Sequence, residues 1–166
     1  ESLPVHHHTP RRRVVPRDKE MSGVHVKRAA TPQEREALQA LRVRVFVHEQ
    51  RAPLAEEFDE HDDSAIHAVA LLDGRVVGTG RMYRTASGDT QIGRMAVAPG
   101  HRRVGTGGLI LAFLEEQARD AGVARVVLHA QTYVQCFYAR HGYVAQGRPF
   151  FEAGIEHILM AKELVA

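Results

Sequence analysis

The feature that most constrains this chain is a series of strand-length segments, cut by tight turns and ended by a cluster of glycines, between Ala65 and Gly108. Residues 65–72 and 75–84 flank Asp73-Gly74, a pair that reads as a two-residue hairpin turn, and Gly88-Asp89 turns the chain again into residues 90–99. Three antiparallel strands are expected. Pro99-Gly100 ends the last of them. The glycine-rich stretch Arg102-Arg103-Val104-Gly105-Thr106-Gly107-Gly108 then leads into apolar positions 109, 110, 113, 114, 118 and 121, a helical period closed by Gly122.

The flanking segments complete the pattern. A short extended piece from Val24 to Arg28 precedes Thr31-Pro32-Gln33-Glu34, in which Thr31 is placed to cap a helix, Pro32 to open it and Glu34 to close a capping box. Leu38, Leu41, Val45 and Phe46 carry the apolar face of that helix to about Glu49, and Pro53 closes the segment. Residues 56–63, with six carboxylates in eight positions, read as a loop. After the central helix come a strand over 125–130, a helix over 133–140 stopped by His141-Gly142, and strands near Tyr143 and over 155–160. The order is β-α-β-β-β-α-β-α-β-β, an α+β pattern with seven strands.

Composition limits the alternatives. With 44% hydrophobic and 25% charged residues in 166, the chain suits one globular core, expected over residues 23–166, and no repeat or second domain appears. No apolar run reaches the roughly 18 residues of a membrane span, so a soluble protein with no membrane partner is expected. The single cysteine, Cys136, forbids an intrachain disulfide and fits a reducing compartment, by default the cytoplasm. Residues 1–28 hold seven Lys/Arg against three Asp/Glu, whereas the remainder holds fifteen against seventeen. The basic character therefore belongs to an extended N-terminal arm over residues 1–22, read as an extension ahead of a start at Met21 rather than as a nucleic-acid contact. His6, His7 and His8 receive no native metal.

The glycine-rich loop between a strand and a long helix reads by itself either as an anion cradle or as a flexible loop with a glycine-rich helix start. Glycines let backbone N–H groups turn inward, and the helix N-terminus adds the positive end of its dipole. No Gly-Lys-Ser/Thr follows, so it is not a Walker loop, and the dinucleotide fingerprint lacks its glycine spacing and its βαβ setting. In context, MAVAPGHRRVGTGG resembles the signature of the GNAT superfamily of N-acetyltransferases, an Arg/Gln-x-x-Gly-x-Gly/Ala loop filled here by Arg102, Gly105 and Gly107. A second segment, Gln131 to Tyr143, is similar to that superfamily's Asn-x-x-Ala-x-x-Phe-Tyr-x-x-x-Gly-Phe, departing from it at Gln131 and Val134. The strings VFVHEQ, IGRMAV, HAQ and GIEHILM look most like the ElaA-like branch.

The resemblance implies an α/β sandwich with a mixed, mostly antiparallel sheet of about seven strands flanked by helices, acetyl-CoA as acyl donor and a primary amine as acceptor, with direct attack in a ternary complex. It places the backbone amides of Val104, Gly105, Thr106, Gly107 and Gly108 on the pyrophosphate, with Arg102 or Arg103 adding charge from the side. It offers the backbone of Met95, Ala96 and Val97 to the pantetheine amides, sets Gln131 and Phe137 beside the cofactor, and makes Tyr138 the donor of a proton to coenzyme A sulfur. The strand position where some relatives carry a base holds Gly93 and Arg94, which leaves Glu49, Glu57 and His129 as candidates.

Further residues have two readings each. The acidic stretch 56–63 either attracts a cationic amine or is simply solvated, and its spacing is not that of a calcium loop. Arg81 and Arg94, on neighbouring strands, bind either an acceptor carboxylate or cross-strand acids. Glu152, His157 and Tyr133 are candidate acceptor-pocket residues, with His157 alternatively directed off the core. Cys136 reads as a small buried residue rather than a nucleophile. The expected acceptor is a small molecule, and a homodimer is left open. The rival readings are a non-catalytic acyl-CoA-binding sensor and an acyl-homoserine lactone synthase-like acyltransferase.

Overall fold

The computed structural model describes residues 23–165; the basic arm, its three histidines and Ala166 lie outside the described residues. The elements follow as β1 (His25–Arg28), α1 (Pro32–Arg42), α2 (Leu54–Glu57), α3 (His61–Ser64), β2 (Ile66–Leu72), β3 (Arg75–Arg84) and β4 (Thr90–Val97). After them come α4 (Thr106–Asp120), β5 (Arg125–Gln131), α5 (Gln135–Arg140), β6 (Val144–Glu152) and β7 (Ile155–Glu163). One seven-stranded sheet runs in the order β1-β2-β3-β4-β5-β7-β6. Every neighbour pair is antiparallel except β4 and β5, which run parallel.

The two faces of the sheet are covered by different helices because residues on β2 alternate. Ala68 and Ala70 join the core under α4, whereas Val69 packs beneath Leu38 of α1. On the first face Ile110, Leu111, Leu114 and Ala118 of α4 are fully buried, each large side chain contributing about 1.5–3 kcal/mol. The helix lies unusually close to β3, since a Cβ at Gly78 or Gly80 would stand 2.8 or 2.9 Å from Ile110.

Capping is as the sequence predicts: Thr31 accepts from Glu34 N–H, and the Glu34 carboxylate accepts from the Ala30 and Thr31 amides and from Lys27. Those donors hold the Glu34 carboxyl down at about 2.

Two segments differ from expectation. The first helix does not run in α geometry to Glu49: Val43–Glu49 winds as a π-helix, with Gln50 N–H donating to the Val45 carbonyl. The extra residue per turn rotates Glu49 and Gln50 away from the direction an α period gives them. The acidic stretch is not a solvated loop either. It forms α2 and α3 and folds against the sheet because three arginines distant in sequence pair with its carboxylates.

Candidate active site

The site begins where the sheet comes apart. Strands β4 and β5 pair only over Thr90–Ile92 and Val126–Leu128, yet both continue, to Val97 and Gln131. The cause is local: β4 carries an extra residue between the pairs Arg81–Gly93 and Thr79–Ala96, and Arg94 adopts φ 50° there. This bulge bends β4 away from β5. The edge of β4 from Gly93 to Val97 that faces β5 is consequently without a strand partner, and it can accept an extended ligand in place of one.

Beyond Val97 the chain enters the cradle. Arg103 and Gly105 take left-handed φ values of 64° and 88°, and Gly105 caps α4 with no side-chain hydrogen bond, leaving the first helical amides open. Thr106 is 1% exposed and its Oγ1 has no partner. At Gly107 an added Cβ would lie 3.2 Å from Cζ of Phe137, so the absence of a side chain admits that ring to the helix N-terminus. Open amides, an unpartnered hydroxyl and this close backbone surface fit the phosphates and thiol arm of coenzyme A.

The second part is a pocket of about 270 Å³ lined by Asp59, His61, Arg81, Tyr83, Gln91, Gly93, Arg94, His129 and Glu152. Behind it Arg42, itself 1% exposed, donates from Nε to Glu57 Oε1 at 2.7 Å, from Nη1 to Asp62 at 2.6 Å and from Nη2 to the Glu57 carbonyl. Arg81 donates from Nη1 and Nη2 to both Asp59 oxygens at 2.7 and 2.8 Å, and to Asp62 at 2.9 Å. Burial pushes the Glu57 carboxyl up against the pull of Arg42. For Asp62 burial is outweighed, and hydrogen bonds from Arg42 and the Asp59 amide with the nearby arginine charges hold it well below the usual range.

The residues singled out in the sequence fall into distinct places. His129 lies in β5, exposed to the pocket, and its Nδ1 stands 2.9 Å from Glu152 Oε2. That bond lowers the Glu152 carboxyl despite desolvation. Glu57 is 3% exposed and clasped by Arg42, away from solvent. Glu49 is paired with Arg102, whose Nη2 lies 2.9 Å from Oε2 and whose Nε donates to the Val97 carbonyl. Arg103 and Val104 are exposed on the loop. Met95 packs on the core and Ala96 is buried, their side chains turned from solvent.

Tyr138 on α5 is buried, 5.0 Å from the Phe137 ring, and desolvation with the neighbouring Tyr133 raises its hydroxyl to about 12. Gln131 donates to Gln50, which in turn reaches Tyr133, so the end of the π-helix touches both lips of the cleft: Glu49 through Arg102, Gln50 through Gln131. His157 is buried and stacked on Phe150, on the face of β7 opposite the core residues Ile158 and Met160, and Tyr133 is largely exposed. Cys136 is an exposed free thiol rather than a buried one. Sequence reasoning missed His61, Tyr83 and Gln91. The two-residue strand period was the available signal, since it sets Tyr83 beside Arg81 and Gln91 beside Gly93 on one face.

No helix among the described residues is long and apolar enough to cross a membrane. A family model described as "Acetyltransferase (GNAT) domain" matches residues 27–164. The chain is 40% identical over 124 residues, 74% of its own length and 88% of the other's, to YjcF of Bacillus subtilis (strain 168), described as an uncharacterized N-acetyltransferase. Its structure is similar to that of an acyl-CoA N-acyltransferase from Pseudomonas aeruginosa, with TM-score 0.74 and 30% identity, covering 84% of this chain and 97% of that one. It is also similar to Escherichia coli ElaA, with TM-score 0.75 and 26% identity, covering 84% of this chain and 99% of that one. With its splayed sheet, uncapped central helix and these relatives, the chain belongs to the GNAT acetyltransferase family and has the fold of the acyl-CoA N-acyltransferases.

Proposed function

We propose that the protein moves an acetyl group from acetyl-CoA to the primary amine of a small acceptor by direct attack in a ternary complex. The observation that carries this reading is the opening of β4 from β5 between the uncapped N-terminus of α4 and the His129–Glu152 pocket. A donor extended along β4 then has its phosphates at the helix end and its thioester facing the pocket. The amine nitrogen attacks the thioester carbonyl, the C–S bond breaks, and strand N–H groups receive the developing oxyanion charge.

His129 is the favoured base. With Nδ1–H donated to the Glu152 carboxylate, the neutral ring keeps its lone pair on Nε2, where it takes the amine proton. Tyr138, held protonated by its burial, supplies the proton to the leaving sulfur. Calorimetric titration with acetyl-CoA, followed by thiol release against a panel of primary amines, tests the reading. Binding with thiol release supports it, and a folded protein that does not bind acetyl-CoA overturns it.

Two variants assign the roles. Tyr138→Phe is expected to lower kcat on the order of 10²-fold with little change in coenzyme A affinity, measured by thiol release and calorimetry. An unchanged kcat removes Tyr138 from the mechanism. His129→Asn is expected to lower kcat by about 10²–10⁴-fold near neutral pH. Its deficit narrows above about pH 9, where more of the amine is already neutral and needs no base. A pH–rate profile parallel to that of the wild type argues against His129.

A further inference from the structure

The pocket has two charged ends laid across the sheet. Arg81 and Arg94 stand at one end, on β3 and β4, while His129 and Glu152 stand at the other, on β5 and β6. Between them is Gly93, where an added Cβ would meet nothing within 4 Å, so the floor of the pocket is open.

The two arginines are not equally engaged. Arg81 is spent on Asp59 and Asp62 through three short bonds, although its Nε is buried without an acceptor. Arg94 keeps only long contacts: Nε lies 3.3 Å from the Glu57 carbonyl and 3.7 Å from its carboxylate, and Nη2 lies 3.3 Å from the Glu56 carbonyl and 3.5 Å from Asp59. Its Nη1 has no protein partner among the described residues. Arg42, Arg81 and Arg94 balance Glu57, Asp59 and Asp62 in formal charge, so direction rather than net charge sets this end apart. It has more N–H donors than the protein has acceptors for them.

We infer that Arg94 binds a carboxylate of the acceptor, which makes the acceptor a small amino acid-like zwitterion. Its carboxylate lies on Arg94 and its amine reaches His129. This rests on reading the pocket as the acceptor site. A planar guanidinium matches a carboxylate through paired N–H bonds. Both groups line one pocket, and a volume of about 270 Å³ admits a small molecule carrying an amine and a carboxylate. A polyamine, by contrast, brings a second cation against Arg94.

The test compares amino acids with the amines left when their carboxylate is removed, β-alanine against ethylamine and lysine against 1,5-diaminopentane, by thiol release from acetyl-CoA. The carboxylated member of each pair is expected to have a kcat/KM about ten- to hundredfold higher, carried by KM. In Arg94→Gln the ratio falls to near one, and Arg94→Lys restores part of it. Coenzyme A titration of each variant reports whether it is folded. Equal use of both members by the wild type, or a ratio retained in Arg94→Gln, overturns the inference and leaves acyl transfer standing. Absence of acetyl-CoA binding by the wild type overturns the acyl-transfer reading and this inference with it.

Discussion

Replacing Arg42 by methionine is expected to destabilise the protein by about 3–5 kcal/mol, the cost of leaving buried carboxylates without their cation. Arg42 is 1% exposed and is the only group that joins Glu57 and Asp62 to the end of α1 by short side-chain bonds among the described residues. For a chain of this size the melting temperature falls on the order of 10 °C, read by circular dichroism or calorimetry. The sign of the pH dependence follows from the two carboxyls. Asp62, held low in the folded protein, contributes stability present above its unfolded value and lost as pH falls. Glu57, raised by burial, works the other way, favouring the folded state as pH falls and penalising it once ionised. Without Arg42 the first contribution shrinks and the second penalty grows, so the deficit is largest near neutrality and narrows towards pH 4. A deficit independent of pH would mean that lost packing, not charge, dominates.

Gly107→Glu is expected to weaken coenzyme A binding by about 10²–10³-fold, as several kcal/mol of like-charge repulsion implies. Two effects coincide. The new Cβ meets Phe137 at 3.2 Å, and the added carboxylate brings negative charge to the open amides of α4, the proposed phosphate site. The fold itself is not endangered, because a carboxylate in the first turn of a helix complements its dipole. Calorimetry separates the two, and a variant with unaltered affinity would show that the phosphates bind elsewhere.

Local signals were legible where they act over a few residues. The Thr31–Glu34 capping box, the Asp73-Gly74 hairpin and the apolar stripe of α4 each lie within one element, and each is present as read. The glycine loop was legible for the same reason. What escaped reading depends on partners far apart in the chain. Residues 56–63 look like a solvated loop until Arg42, Arg81 and Arg94 are brought beneath them by α1, β3 and β4. His129 gains its meaning from Glu152, 23 positions later. The π-helix has no side-chain signature, and the bulge at Arg94 sits on a non-glycine residue with positive φ. The same long-range pairing separates Arg81, already bound, from Arg94, still short of acceptors.

The short parallel seam has a further consequence for how the molecule holds together. Strand pairing joins the leaf β1–β4 to the leaf β5–β7–β6 only through Thr90–Ile92 and Val126–Leu128, while Glu115 of α4 accepts bonds from Lys162 of β7 and from Tyr143. The narrowest line of strand pairing in the sheet therefore runs along the edge of β4 that faces β5, and a ligand lodged there would act as a rivet between the two leaves.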